Sequence, residues 1–94
     1  MFSIFGIFKM DPSRTEQHER ELAERIVPLV KHQPGFVSGT WTYDEQRSRY
    51  LSHLVWSSER DARGFAEFLL QTARAASNGV ELESLTVAKV MASA

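Results

Sequence analysis

Tyr50, Ser52, Leu54 and Trp56 stand two residues apart, the repeat that puts side chains on one face of a β-strand. Such a face offers two hydroxyls and an indole among apolar groups. That is equipment for orienting the oxygen of a phenol or quinone and for stacking against a flat ring. Gly39, Trp41 and Tyr43 repeat the pattern just upstream, and Phe65 and Phe68 follow at helical spacing. Aromatic residues at these periods also build ordinary cores, and the hydroxyls of Tyr50 and Ser52 also bond to backbone, so both readings stay open here. His53 falls on the opposite face of the same strand, where a neutral imidazole serves an interface or, if it reached a pocket, a general base. His18 and His32, on or near a first helix, are too far apart and too short of further ligands for a metal site. Glycine-rich phosphate loops, nucleophile elbows and paired-acid motifs are absent.

The elements that must position these residues read as strand, helix, two strands, helix, strand. Phe2 to Met10 has apolar residues on both sides, as a strand buried on both faces requires. Ser13 and Glu16 have capping-box spacing, and Leu22, Ile26, Leu29 and Val30 then recur as one apolar stripe of a helix that Pro28 should kink and Pro34-Gly35 should end. Phe36 to Tyr43 and Ser48 to Trp56, rich in Thr, Val and aromatic residues, form a hairpin about Asp44-Glu45-Gln46-Arg47. With Tyr43 opposite Ser48, Trp41 faces Tyr50, Gly39 faces Ser52 and Val37 faces Leu54, while Phe36, Leu51, His53 and Val55 take the other side. Ser58 and Asp61 open a second helix that carries Ala62, Phe65, Phe68, Leu69, Ala73 and Ala76 to about Ser77. Asn78-Gly79 stops it, and Val80 to Met91 is the last strand.

This order predicts an α+β, ferredoxin-like βαββαβ domain covering residues 1–94, with both helices on one face of an antiparallel sheet. The other face is left bare. A second copy covering it gives a homodimer, a dimeric α/β barrel, with Ser38, Thr40 and His53 in the interface or lining a wet cavity.

Composition narrows the function classes. In 94 residues, 43% hydrophobic and 24% charged, there is material for one ordinary globular core. A net charge of -1 gives no positive field to hold nucleic acid or an anionic membrane. Having no cysteine, the chain has no disulfide, thiolate nucleophile or cysteine-bound metal, which is compatible with the cytoplasmic location expected. The apolar start, Met1 to Phe8, is too short to span a bilayer and lacks the features of a signal peptide.

Two stretches, Gln33-Pro34-Gly35-Phe36-Val37-Ser38-Gly39 and Tyr50-Leu51-Ser52-His53-Leu54-Val55-Trp56-Ser57-Ser58-Glu59, in this order and spacing, resemble the antibiotic-biosynthesis-monooxygenase-like group of dimeric α/β barrels. The resemblance runs over essentially the whole chain. It implies a homodimer with a ligand cleft between sheet and helices, and a cofactor-independent oxidation of aromatic, polyketide- or quinol-like substrates. Trp56, Ser52 and Tyr50 would then be catalytic, and Trp41, Gly39, Phe65, Phe68 and Leu54 would bind substrate, with no cofactor and no metal. Ser52 departs from the group, whose quinone-forming members carry Asn there. The haem-degrading branch is disfavoured, because its strand Asn is replaced by Gly6 or Phe8 and its second-helix His is missing. The alternative is a dimer of the same fold that binds a small ligand, or serves structurally, without turnover.

Overall fold

A computed structural model describes residues 1–75 and 79–94. Strands β1 (Phe2–Met10), β2 (Phe36–Asp44), β3 (Arg49–Trp56) and β4 (Val80–Lys89) form an antiparallel sheet of order β2-β3-β1-β4. Between β1 and β2 the chain is helical in four consecutive pieces: a 3-10 turn Pro12–Arg14, α1 (Thr15–Glu21), a π-helical segment Leu22–Ile26, and α2 (Val27–Lys31). The helix α3 (Glu59–Ala75) connects β3 to β4. This is the expected α+β, ferredoxin-like order. The ends expected at Ala76, Ser77 and Asn78 lie outside the described residues.

Local chemistry explains each boundary. Asp11 rather than Ser13 opens the first helical run, its carboxylate accepting from the Ser13 backbone N–H at 3.0 Å and from the Ser13 hydroxyl at 2.8 Å, with Pro12 supplying a first position that needs no donor. Pro28 does not produce a break. The helix loosens into the π segment just ahead of it, where i→i+5 bonding makes room for a ring that would crowd the Glu24 carbonyl. Gly35 ends the run at φ 78, a conformation costly for any residue with a Cβ. Ser58 caps α3, its Oγ accepting from the Asp61 N–H at 3.2 Å and donating to the Asp61 carboxylate at 3.0 Å.

Two features of the hairpin differ from expectation. Tyr43 pairs with Tyr50, Trp41 with Ser52 and Gly39 with Leu54, a register two residues away from the expected one. Asp44 causes the offset, because its carboxylate accepts from the N–H groups of Gln46 and Arg47 and its pairing with Arg49 moves the turn one residue along. The shift is even, so every residue from Ser38 onward keeps its face. A bulge then makes Val37 an extra residue between the pairs Phe36–Trp56 and Ser38–Val55. Phe36 therefore lies with Trp56 on the helix side, against expectation, and Val37 is exposed.

The core sits between sheet and helices in two clusters. Ile4, Val30, Leu54, Trp56, Ala62, Phe65 and Ala66 form one, and Phe8, Met10 and Tyr50 the other. Leu29, expected in the buried stripe, is 48% exposed, while Val30 beside it is 2% exposed. The far side of the sheet is open, so β1 is covered on one face of the chain and not, as its two-sided pattern suggests, on both: Ile4 is fully buried and Phe5 is 45% exposed.

Candidate active site

Where the two core clusters meet, the side chains do not close, and a cavity of about 160 Å³ remains. Phe8, Tyr50, Ser52 and Leu54 form its floor on the sheet, Trp41 one edge, and Val30, Ile26, Phe65, Phe68 and Leu69 its helical walls. Of the eight residues expected to build a site, Tyr50, Ser52, Trp41, Leu54, Phe65 and Phe68 thus share one cavity. Phe68 stands at its rim, 38% exposed, with its ring edge to face on Phe65 at 5.6 Å.

Gly39 and Trp56 lie behind this wall. A methyl group on Gly39 would stand 2.9 Å from Leu54 Cδ2 and 3.0 Å from the Trp41 ring, so the missing side chain lets both cavity residues settle into place. Trp56 is 1% exposed and packs on Phe65 at 4.9 Å and edge to face on Phe36 at 5.6 Å. It is not among the residues lining the cavity, and its indole N–H is buried with no hydrogen-bond partner among the described residues. Gly6 plays the same part for Ser52, across which it pairs: a Cβ there would approach Ser52 Oγ to 2.7 Å.

One functional candidate was not foreseen. His18 of α1 is 7% exposed, lines the cavity, and meets the Tyr50 ring edge to face at 4.7 Å. Its Nε2 is buried without a hydrogen-bond partner among the described residues. Desolvation by burial pulls its pKa below the usual histidine value, with a smaller opposing pull from the Glu21 carboxylate. Burial acts on Tyr50 in the other sense, holding its phenol protonated well above the usual tyrosine range. Tyr50 is thus a hydrogen-bond donor across all ordinary pH, and His18 is biased toward the neutral imidazole.

His53 lies on the open face, as its position predicts, stacked on Phe5 at 4.5 Å with Nε2 at 3.2 Å from Ser3 Oγ. The sheet separates it from the cavity. Among the described residues no group of three or more His, Asp or Glu is arranged to hold a metal ion, and no helix is long and apolar enough to cross a membrane.

No protein-family profile matches the chain. In sequence it is similar to the tetracenomycin-F1 monooxygenase of Streptomyces glaucescens, 27% identical over 63 residues, which are 67% of this chain and 56% of the relative. The chain thus matches little more than half the length of that relative. Among solved structures it is similar to the haem degrader MhuD of Mycobacterium tuberculosis with two haems bound in its active site, at a TM-score of 0.77 and 18% identity, covering 100% of this chain and 99% of that one. It is also similar to SnoaB, a cofactor-independent oxygenase from Streptomyces nogalater, at a TM-score of 0.67 and 19% identity, covering 98% and 94% of the two chains. In fold, and in sequence over two thirds of its length, the chain is antibiotic-biosynthesis-monooxygenase-like.

Proposed function

We propose that this chain is a cofactor-independent monooxygenase that takes an aromatic, polyketide- or quinol-like small molecule into the cavity between sheet and helices. The observation that carries this reading is that Tyr50 and Ser52, which bear hydroxyls, line one cavity together with the apolar residues Trp41, Leu54, Phe65 and Phe68. The apolar walls bind the ring system and exclude water, and the hydroxyls hold a phenolic or ketonic oxygen. Trp56 supports the site from behind by fixing the Phe65 ring. The similarity to a monooxygenase in sequence and to a cofactor-independent oxygenase in fold points the same way. On such a site an electron-rich methylene gives up a proton, its carbanion reacts with oxygen, one oxygen atom stays as the quinone carbonyl and the other leaves as water with both hydrogens. The substrate supplies the electrons, so no metal or flavin is required.

Oxygen uptake with anthrone, in the presence of a chelator and without added flavin, tests the proposal. One oxygen consumed per anthraquinone formed, faster than in a protein-free control, is expected. Binding without uptake supports the alternative, a small-ligand-binding dimer, which Ser52 in the place of an Asn favours. Neither binding nor uptake overturns both.

We also propose that a second copy covers the open sheet face. Phe5 and Leu51 are 45% and 36% exposed there, and a two-fold partner offers the same apolar patch in return.

A further inference from the structure

We propose that His18 is the group that takes the proton of a hydroxylated aromatic ligand in this cavity, with Tyr50 and Ser52 holding the aryloxide that results. The inference rests on the reading of the cavity as an aromatic-ligand site and adds to it the base that the strand residues do not supply.

Chemistry singles out His18. Of the polar side chains on the cavity wall, the serine and threonine hydroxyls do not ionise near neutrality. The Tyr50 phenol is kept protonated by burial, so it donates a hydrogen bond and cannot accept the proton. Burial favours the neutral form of the His18 imidazole, and a neutral imidazole is a base. Its Nε2 is buried yet unpartnered among the described residues, a state that a ligand hydroxyl would relieve. Since His18 and Tyr50 are in edge-to-face contact at 4.7 Å, base and donor can address a single ligand oxygen. Because Nε2 is buried, contact with the ligand requires the imidazole to turn off the Tyr50 ring.

Placement supplies the route. His18, Tyr50 and Trp41 also line an outer groove of about 660 Å³, so they form a wall common to groove and cavity, the shortest way in from the groove. The charged residues lining the groove are acidic, Glu16 and Glu19 on the His18 helix and Glu45 from the hairpin turn, beside the Tyr43 phenol of β2 and the Tyr50 phenol of β3, and Glu21 acts on the imidazole electrostatically. Carboxylates at the mouth disfavour a ligand that arrives ionised, and Glu21 favours the imidazolium, by less than burial opposes it. The neutral ligand therefore enters first. Its O–H bond then breaks, the proton forms an N–H bond on Nε2, and the electron pair stays on the ligand oxygen, with no change of oxidation state.

Quinizarin, 1,4-dihydroxyanthraquinone, is a suitable probe, because its neutral form is orange, its anion violet, and it needs no turnover. Binding is read by tryptophan quenching and ionisation by absorbance, each across a pH series in wild type and His18→Gln. Wild type is expected to shift the ionisation equilibrium of bound quinizarin at least tenfold toward the anion, and His18→Gln to bind it without that shift. In parallel, ¹⁵N NMR of the His18 ring in the wild-type protein should turn from neutral to imidazolium at saturation, which decides the matter even if the variant fails to fold. Violet quinizarin bound to His18→Gln, or a His18 ring that stays neutral at saturation, overturns the inference and leaves the cavity reading intact. No quenching in wild type overturns the cavity reading and the inference together.

Discussion

His18 and Tyr50 meet edge to face, ring centroids 4.7 Å apart and planes at 77°, so the first helical run touches the sheet through two groups of opposite acid–base bias. Burial depresses the basicity of one and the acidity of the other.

That bias makes stability depend on pH. The His18 pKa is lowered in the folded chain from 6.5, so on acidification the unfolded chain takes up the proton first. The contribution is fully present above about 6.5, falls as the pH drops below that value, and levels off under the folded pKa, where both states are protonated. Denaturant titrations between pH 8 and 4 should show this slope in wild type and a shallower one in His18→Phe, with the midpoint of the variant less sensitive to acid.

How much of this was legible differs between sheet and helix. Element order followed from the patterning, and side-chain faces from Ser38 onward survived the displaced hairpin because an even register error preserves faces, whereas the bulge at Val37, which period-two spacing does not announce, moved Phe36 to the other face. His18 was missed because an apolar stripe read at uniform helical spacing does not include it. At about 100° per residue, His18 and Val30 stand roughly 120° apart on an unbroken α-helix. The five-residue π segment Leu22–Ile26 turns by only about 80° per residue and removes roughly 100° of that angle, bringing His18 onto the face of Val30. Nothing in local propensity announces a π turn, although Pro28 two residues beyond it is a trace of one.

Trp41, rather than Trp56, should report on ligand. Trp41 lines the cavity, whereas Trp56 is shielded by Phe65 and Phe36. Trp56→Phe is expected to keep most ligand-induced quenching and to lose about 1–3 kcal/mol of stability from imperfect refilling of its site. Trp41→Phe should lose most of the quenching at nearly wild-type stability. Paired fluorescence titrations and thermal melts check both.

Gly39→Leu should act on the cavity from behind. Its side chain would collide with Leu54 and Trp41, costing about 1–3 kcal/mol and driving both into the ligand space. Affinity for a planar aromatic should fall at least tenfold in a variant that still melts cooperatively. Wild-type affinity in such a variant would place the ligand elsewhere.

Charge on the bare face should separate the proposed copies. In a two-fold pairing Leu51→Glu puts a carboxylate into an apolar interface twice over, so light scattering should read a dimer for wild type and a monomer for the variant. A wild-type monomer at micromolar concentration would remove the barrel.

The bulge in β2 has a meaning for chain length. Val37 is matched by nothing on β3, and its two neighbours sit across from the consecutive residues Trp56 and Val55, the pairing that a regular ladder would give them if they were adjacent in the chain. The segment from Gly35 to the hairpin thus carries one residue of slack, and losing it would straighten the strand while leaving Phe36 on Trp56 and Trp41 on the cavity. Homologous chains one residue shorter at this point can therefore build the same site, and an alignment gap placed at Val37 costs the structure less than one placed anywhere between Gly39 and Tyr43.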